Sequence, residues 1–147
     1  MNLSWGKPTI KITKLGTTPG TRIDIPTPVK DSTKLIPTKG TKREAPLEGG
    51  GNEDVAYEKN KYVLEFELYA KKGRAKPVED EDGVIDGQYK LELQPEDPTV
   101  EGIIIDKGTL SVEDTFDASI GKKWKYTMDV LVPDTGNQVK HEVVTFS

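Results

Sequence analysis

The sequence predicts an all-β protein, an antiparallel β-sandwich or barrel of six to eight strands with an extended polar arm and at most one short helix. Three observations predict it. Apolar and polar residues alternate at period two again and again, the pattern of strands with one face on a core. No segment sustains the stripe of an amphipathic helix. Finally, 14 glycines and 10 prolines break the 147 residues into short elements, as a chain of strands and turns requires. The length suits a single domain, residues 1–147.

Taken in order, "TIKITKL" near the start reads as a first strand. Residues 31–51, "DSTKLIPTKGTKREAPLEGGG", follow. They are too polar for core and too punctuated for a simple linker, so they are read as an arm inserted into the domain. "KYVLEFELYA" is the clearest strand, with Tyr62, Leu64, Phe66, Leu68 and Ala70 on one face and Val63, Glu65, Glu67 and Tyr69 on the other. "QYKLEL" repeats the pattern, with Tyr89, Leu91 and Leu93 inward. "GIIIDKGTLSVEDTF" is either two short strands or one strand kinked near Gly108. A short helix over Val112–Ile120 competes there, but Thr115 and Phe116 favour strand. "WKYTMDVLV" places Trp124, Tyr126, Met128, Val130 and Val132 on one side. "PDTGNQ" at 133–138 reads as a hairpin loop joining it to a last strand in "QVKHEVVTF".

Composition narrows the function classes. Only 33% of the chain is hydrophobic and 31% is charged, with a net charge of −4. That balance argues against a dedicated duplex-DNA binder, which needs a basic surface to neutralise phosphates. There are no cysteines, hence no disulfide framework, thiolate metal site or thiol nucleophile. "MNLSWGKPTIKITKL" lacks the apolar centre of a secretory signal, and no run approaches the roughly 20 apolar residues of a membrane span. The expected setting is therefore cytoplasmic.

Catalytic chemistry is sparse. The one histidine, His141, sits between Lys140 and Glu142 in a strand pattern and reads as a surface or structural residue. No serine lies in a G-x-S-x-G context. The glycines of "EGGGN" are not followed by a lysine and a helix, so no phosphate loop is indicated. Neither enzyme activity nor a cofactor is expected. "EDEDGVIDG", Glu79 to Gly87, is the best metal candidate through Asp80, Asp82 and Asp86. It lacks the EF-hand spacing, however, and a solvated acidic loop is the preferred reading.

The charge pattern before it carries more information. Lys71, Lys72, Arg74 and Lys76 are followed within three residues by Glu79, Asp80, Glu81 and Asp82. This is either an ordinary charged connection or a self-complementary surface, the basic half of one copy meeting the acidic half of the next. Such patterning sets register more than affinity and suits head-to-tail contacts that close into rings.

Several stretches, in order, carry a resemblance: "LSWGKPTI", "IPTPVKDSTKL", "TKGTKREAPLEGG", "YEKNKYVLEFEL", "VEDEDGVIDGQY", "LQPEDPTVEGIIID" and "GKKWKYTMDVLVP". Together they span most of the chain, which resembles the tail tube (major tail) proteins of tailed bacteriophages and prophages. The resemblance implies a β-sandwich or barrel that closes into hexameric rings, the rings stacking into a hollow tube. DNA would pass through non-specifically, along a lumen that is acidic or neutral. The implied partners are other copies of the chain and tail proteins such as tape measure, terminator or sheath, with no membrane. The implied location is the virion tail, assembled in the host cytoplasm.

The resemblance also equates residues 31–51 with a strand–loop–strand arm reaching a neighbouring subunit. Too little apolar bulk lies there for self-burial, so a neighbour would order it. Gly49–Gly51 would allow a sharp return into the long strand, and Pro26, Pro28, Pro37 and Pro46 would stiffen the arm. The candidate subunit-interface residues are Lys39, Lys42, Arg43 and Glu44 on the arm, together with the opposed runs Lys71, Lys72, Arg74, Lys76 and Glu79, Asp80, Glu81, Asp82. The rival class is a β-sandwich binding module, carbohydrate-binding or adhesin-like. It calls for an aromatic platform, whereas the five tyrosines and two tryptophans fall mostly on core-like faces.

Overall fold

The computed structural model describes residues 6–16 and 22–146. Leu3, Ser4 and Trp5 of the opening motif lie outside them. The described residues form ten strands and no helix. They are β1 (Thr9–Lys14), β2 (Arg22–Asp24), β3 (Lys34–Thr38), β4 (Lys42–Pro46), β5 (Asn52–Tyr57), β6 (Lys61–Tyr69), β7 (Tyr89–Gln94), β8 (Gly102–Asp117), β9 (Gly121–Val130) and β10 (Lys140–Glu142). Eight of them make one antiparallel sheet in the order β2-β1-β7-β8-β9-β6-β3, with β10 added on β8; β4 and β5 pair only with each other. The protein is thus an all-β sandwich whose main sheet has eight strands.

The sheet folds on itself because β8 serves both halves. Its first residues pair with β7 and its last with β9, and the two ladders meet at Gly108. The β7 register shifts there: Tyr89 faces Gly108 and Leu91 faces Ile105, so β8 carries one extra residue. A bulge of this kind bends the strand and strengthens its twist. It also corrects the pleat. Ile105 and Leu110 are an odd number of residues apart, yet both are buried, because the extra residue returns the apolar set to the same side. "GIIIDKGTLSVEDTF" is therefore one strand with a kink.

Inside, Ile10 and Ile12 from β1 and Leu91 and Leu93 from β7 join Leu64, Phe66 and Leu68 from β6 and Trp124, Tyr126 and Met128 from β9 in one cluster. The alternations in β6, β7 and β9 fall as the period-two reading has them. Among the described residues no polar or charged side chain is buried. Tyr126 reconciles its hydroxyl with this environment by donating to the Val78 carbonyl at 2.9 Å, and burial pushes its pKa up to about 12. The connection from β6 to β7, residues 70–88, crosses one end of the sandwich, anchored by buried Val78 and Ile85.

Five details differ from the sequence reading. "PDTGNQ" does not close a hairpin between the last two strands, because β10 pairs with β8 through Lys140↔Ile104 and Glu142↔Gly102. It runs in line with β9 along the same edge of β8. Leu131 still donates to the Lys107 carbonyl at 2.9 Å, but Pro133 has no N–H to continue the ladder, and the chain loops out before rejoining. The last strand is also only three residues long, and Val132 is exposed. The arm is displaced along the chain: Lys34–Thr38 is an edge strand of the main sheet, paired with β6, and the free element is the hairpin β4–β5. Finally, the glycines at 49–51 turn that hairpin instead of leading into β6.

Candidate assembly surfaces

The β4–β5 hairpin begins at a neck that the sequence builds from three polar contacts. Gly40 N–H donates to Asn60 Oδ1 at 3.0 Å, Glu58 N–H to the Thr41 carbonyl at 2.9 Å, and Gln138 Nε2 to the Asn60 carbonyl at 3.0 Å. The two chains pass so closely that a Cβ at residue 40 would collide with the Glu58 carbonyl oxygen, which only glycine avoids. At the far end Gly49 and Gly50 adopt φ of +91° and +99°, open to glycine at no steric cost. Leu47 N–H closes the turn on the Gly51 carbonyl at 2.7 Å.

Every residue from Thr41 to Lys61 is exposed. The four arm residues singled out from sequence engage their own arm. Lys42 Nζ lies 2.7 Å from Glu44 Oε1, Arg43 Nη2 lies 2.7 Å from Glu58 Oε1, and Lys39 Nζ sits 6.0 Å over the Tyr57 ring. Exposed pairs of this kind contribute about 0–1 kcal/mol each. Apolar side chains stand open beside them. Val55 and Tyr57 share one face, and Tyr57 is 62% exposed; Leu47 projects at the turn. Sequence reasoning passed over these three, although the alternation in "DVAYEK" was available to find Val55 and Tyr57.

The opposed charge runs come together, but inside one chain. Lys76 Nζ binds Asp80 Oδ1 at 2.8 Å and the Asp114 carboxylate at 3.0 Å, and lies 6.0 Å over the Trp124 ring. Asp80 Oδ2 accepts the Gly83 N–H at 2.6 Å. Arg74 Nη1 donates to the Tyr69 carbonyl at 2.8 Å. Lys76 therefore ties the crossover to β8 through Asp114, Asp80 braces Lys76 from within the crossover, and Arg74 ties it back to the end of β6, whereas Lys71, Lys72, Glu79, Glu81 and Asp82 remain exposed. Asp114, 38 positions from Lys76 in sequence, was not anticipated.

This clamp has a definite pH signature. The hydrogen bond from Lys76, then that from Gly83, holds the Asp80 carboxyl below the usual aspartate range. The bond to Asp80, opposed by burial and reinforced by Asp114, raises the Lys76 ammonium above the usual lysine range. The Asp80 contribution is present above the ordinary value of about 4 and is lost as pH falls through the lowered pKa. The Lys76 contribution is present below about 10.4 and is lost as pH rises through the raised pKa. Lys76→Met is expected to cost about 1.5–3 kcal/mol at neutral pH, the range for hydrogen bonds to charged groups. Urea denaturation should show the gap from wild type narrowing as Asp80 becomes protonated in acid; a gap independent of pH would remove the clamp's role.

Elsewhere in the acidic run, Asp82 adopts φ of +49° and, like Asp86, is exposed. Among the described residues no three His, Cys, Asp or Glu side chains converge to hold a metal ion. His141 is exposed on β10 opposite Ile103. It lines a cleft of about 560 Å³ at the arm's neck, walled also by Tyr57, Tyr62, Val132 and Gln138. Compared with protein-family models and with curated proteins, the chain matches none of them.

Proposed function

We propose that the protein is a structural subunit that assembles with copies of itself, a tail tube protein of a tailed phage or prophage. The observation that carries this reading is the β4–β5 hairpin, which stands off the sandwich with every residue exposed and no strand partner but itself. An isolated two-stranded hairpin is marginal at best in water. Its exposed Val55, Tyr57 and Leu47 supply the apolar surface through which a neighbouring subunit would order it. The core of the described residues, built from aliphatic and aromatic side chains, is scaffold, and the distinctive features lie on projecting elements, as in a self-assembling part. Passage of DNA through the tube is compatible with a net charge of −4, which gives phosphates no general reason to adhere.

The test is direct. The purified chain, concentrated and viewed by negative-stain electron microscopy, is expected to form rings or stacked tubes, with a matching fast-sedimenting species in the ultracentrifuge. A chain that stays monomeric over the whole accessible concentration range would falsify the reading. The binding-module alternative would then turn to the cleft walled by Tyr57 and Tyr62.

A further inference from the structure

The β8–β9 hairpin outruns the sandwich. Val112 and Tyr126 are its last paired residues that are both buried, and from Glu113 to Ile120 every residue is exposed. Phe116 has the same parity as buried Leu110 and Val112, so it continues the core face beyond the core and is left 77% exposed; Ile120 beside it is 52% exposed. Local hydrogen bonds close the turn at the tip. Asp117 Oδ1 accepts both the Ser119 N–H at 2.9 Å and its hydroxyl at 2.7 Å, and Ile120 N–H closes the turn on the Asp117 carbonyl at 3.1 Å. Apolar groups held out on a hydrogen-bonded turn lose little conformational freedom on docking.

The cleft at the arm's neck lies at the other end of the same ladder. Tyr62 in its wall and Tyr69 beside the tip are seven steps apart on β6, roughly 23 Å at strand rise, with Tyr69 paired to Lys123. The cleft, about 560 Å³, lies in the range of pockets that hold small ligands. Exposed Tyr57 and Val132 line it, and the bond from Gln138 to Asn60 ties its two walls together. Charges of both signs surround the tip, where Glu113, Asp114, Asp117 and Lys122 are exposed. Ala70 N–H donates to the Lys122 carbonyl, which sets exposed Lys71 and Lys72 against the tip with Lys122. The lining of the cleft holds Lys59, His141 and Glu58, the last paired with Arg43.

We propose that Phe116 and Ile120 at this tip seat in the cleft between Tyr57, Tyr62 and Val132 of a second copy of the chain, joining copies head to tail. A knob and a hole at opposite ends of one ladder cannot meet within a copy. The contact is therefore heterologous and propagates from copy to copy, along the direction of β6 and β9. This rests on the self-assembly reading above and adds the surfaces and polarity of one joint.

The chain has no cysteine, so introduced thiols report cleanly. Ala118→Cys at the tip and Asn137→Cys at the cleft are made as separate variants, mixed under a mild oxidant, and compared with each variant alone. The expected result is a disulfide-linked dimer in the mixture, exceeding either variant alone by about tenfold or more. Phe116→Ser should melt as wild type does, since its side chain is already exposed, while the concentration needed for assembly rises about tenfold or more. Rings or tubes without the mixed disulfide, or assembling equally well with Phe116→Ser, would overturn this joint and leave the self-assembly reading standing. A118C pairing chiefly with itself would overturn it in favour of a tip-to-tip contact. Neither assembly nor crosslink would overturn both, and the mixed disulfide-linked dimer without tubes would uphold the joint while removing the tail tube reading.

Discussion

Excising Lys42–Tyr57 and joining Thr41 to Glu58 through a short linker is expected to leave a folded sandwich that no longer assembles. The gap to be joined is short, because Glu58 N–H already donates to the Thr41 carbonyl at 2.9 Å, and a Gly-Asn-Gly linker inserted there supplies the turn. The excised strands contact no other strand of the fold, and deletions are tolerated where the affected backbone is not buried. Far-ultraviolet circular dichroism and the thermal midpoint should therefore stay close to wild type. Assembly should be lost outright, since the excision removes Leu47, Val55 and Tyr57 together. Sedimentation velocity and electron microscopy make the measurement. Reversing one arm charge, by contrast, should do little, because Lys42, Arg43 and Glu44 are engaged within the arm. An excised chain that still builds tubes removes the arm from the assembly; one that fails to fold makes the hairpin part of the structural unit.

Phe66→Ala is expected to be the most damaging single substitution for the fold. Phe66 is 1% exposed at the centre of β6, and its ring stacks on Tyr126 with centroids 5.5 Å apart and planes 17° apart. Truncation removes the transfer energy of the ring and leaves a cavity that a strand paired on both edges cannot collapse into. Such truncations cost about 3–5 kcal/mol, a large part of the roughly 5–15 kcal/mol available to a domain. The loss should appear as a lower urea midpoint and a thermal midpoint reduced on the order of 10 °C. The stacking partner Tyr126 also carries the hydrogen bond to Val78, so the damage should extend to the crossover at residues 70–88, whose amides should exchange faster. A variant that melts like wild type would mean that the inner face of β6 is not the centre of the core.

Alternation in "KYVLEFELYA", "QYKLEL" and "WKYTMDVLV" was enough to orient β6, β7 and β9, because a strand's faces follow from period two and need no knowledge of its neighbours. The short polar strands β2, β3, β4 and β5 went unseen individually. Each is stabilised by a ladder with a partner, and its own side chains carry little pattern. The candidate surfaces were legible in part. Sequence marked the arm region and the opposed charge runs, but not that Lys76 and Asp80 engage each other and Asp114, because that pairing requires β8 to pass beside the crossover. Nor could it show that Phe116 is exposed while Val112 is buried. Val112 lies four positions before Phe116 on the same face of β8, and the difference is where the sandwich ends beneath them. Local chemistry alone settled which way side chains point along a strand. Which strand lies next to which, which charges are already matched and which apolar groups are left uncovered were decided by tertiary structure, because each depends on residues brought together from far apart in the chain.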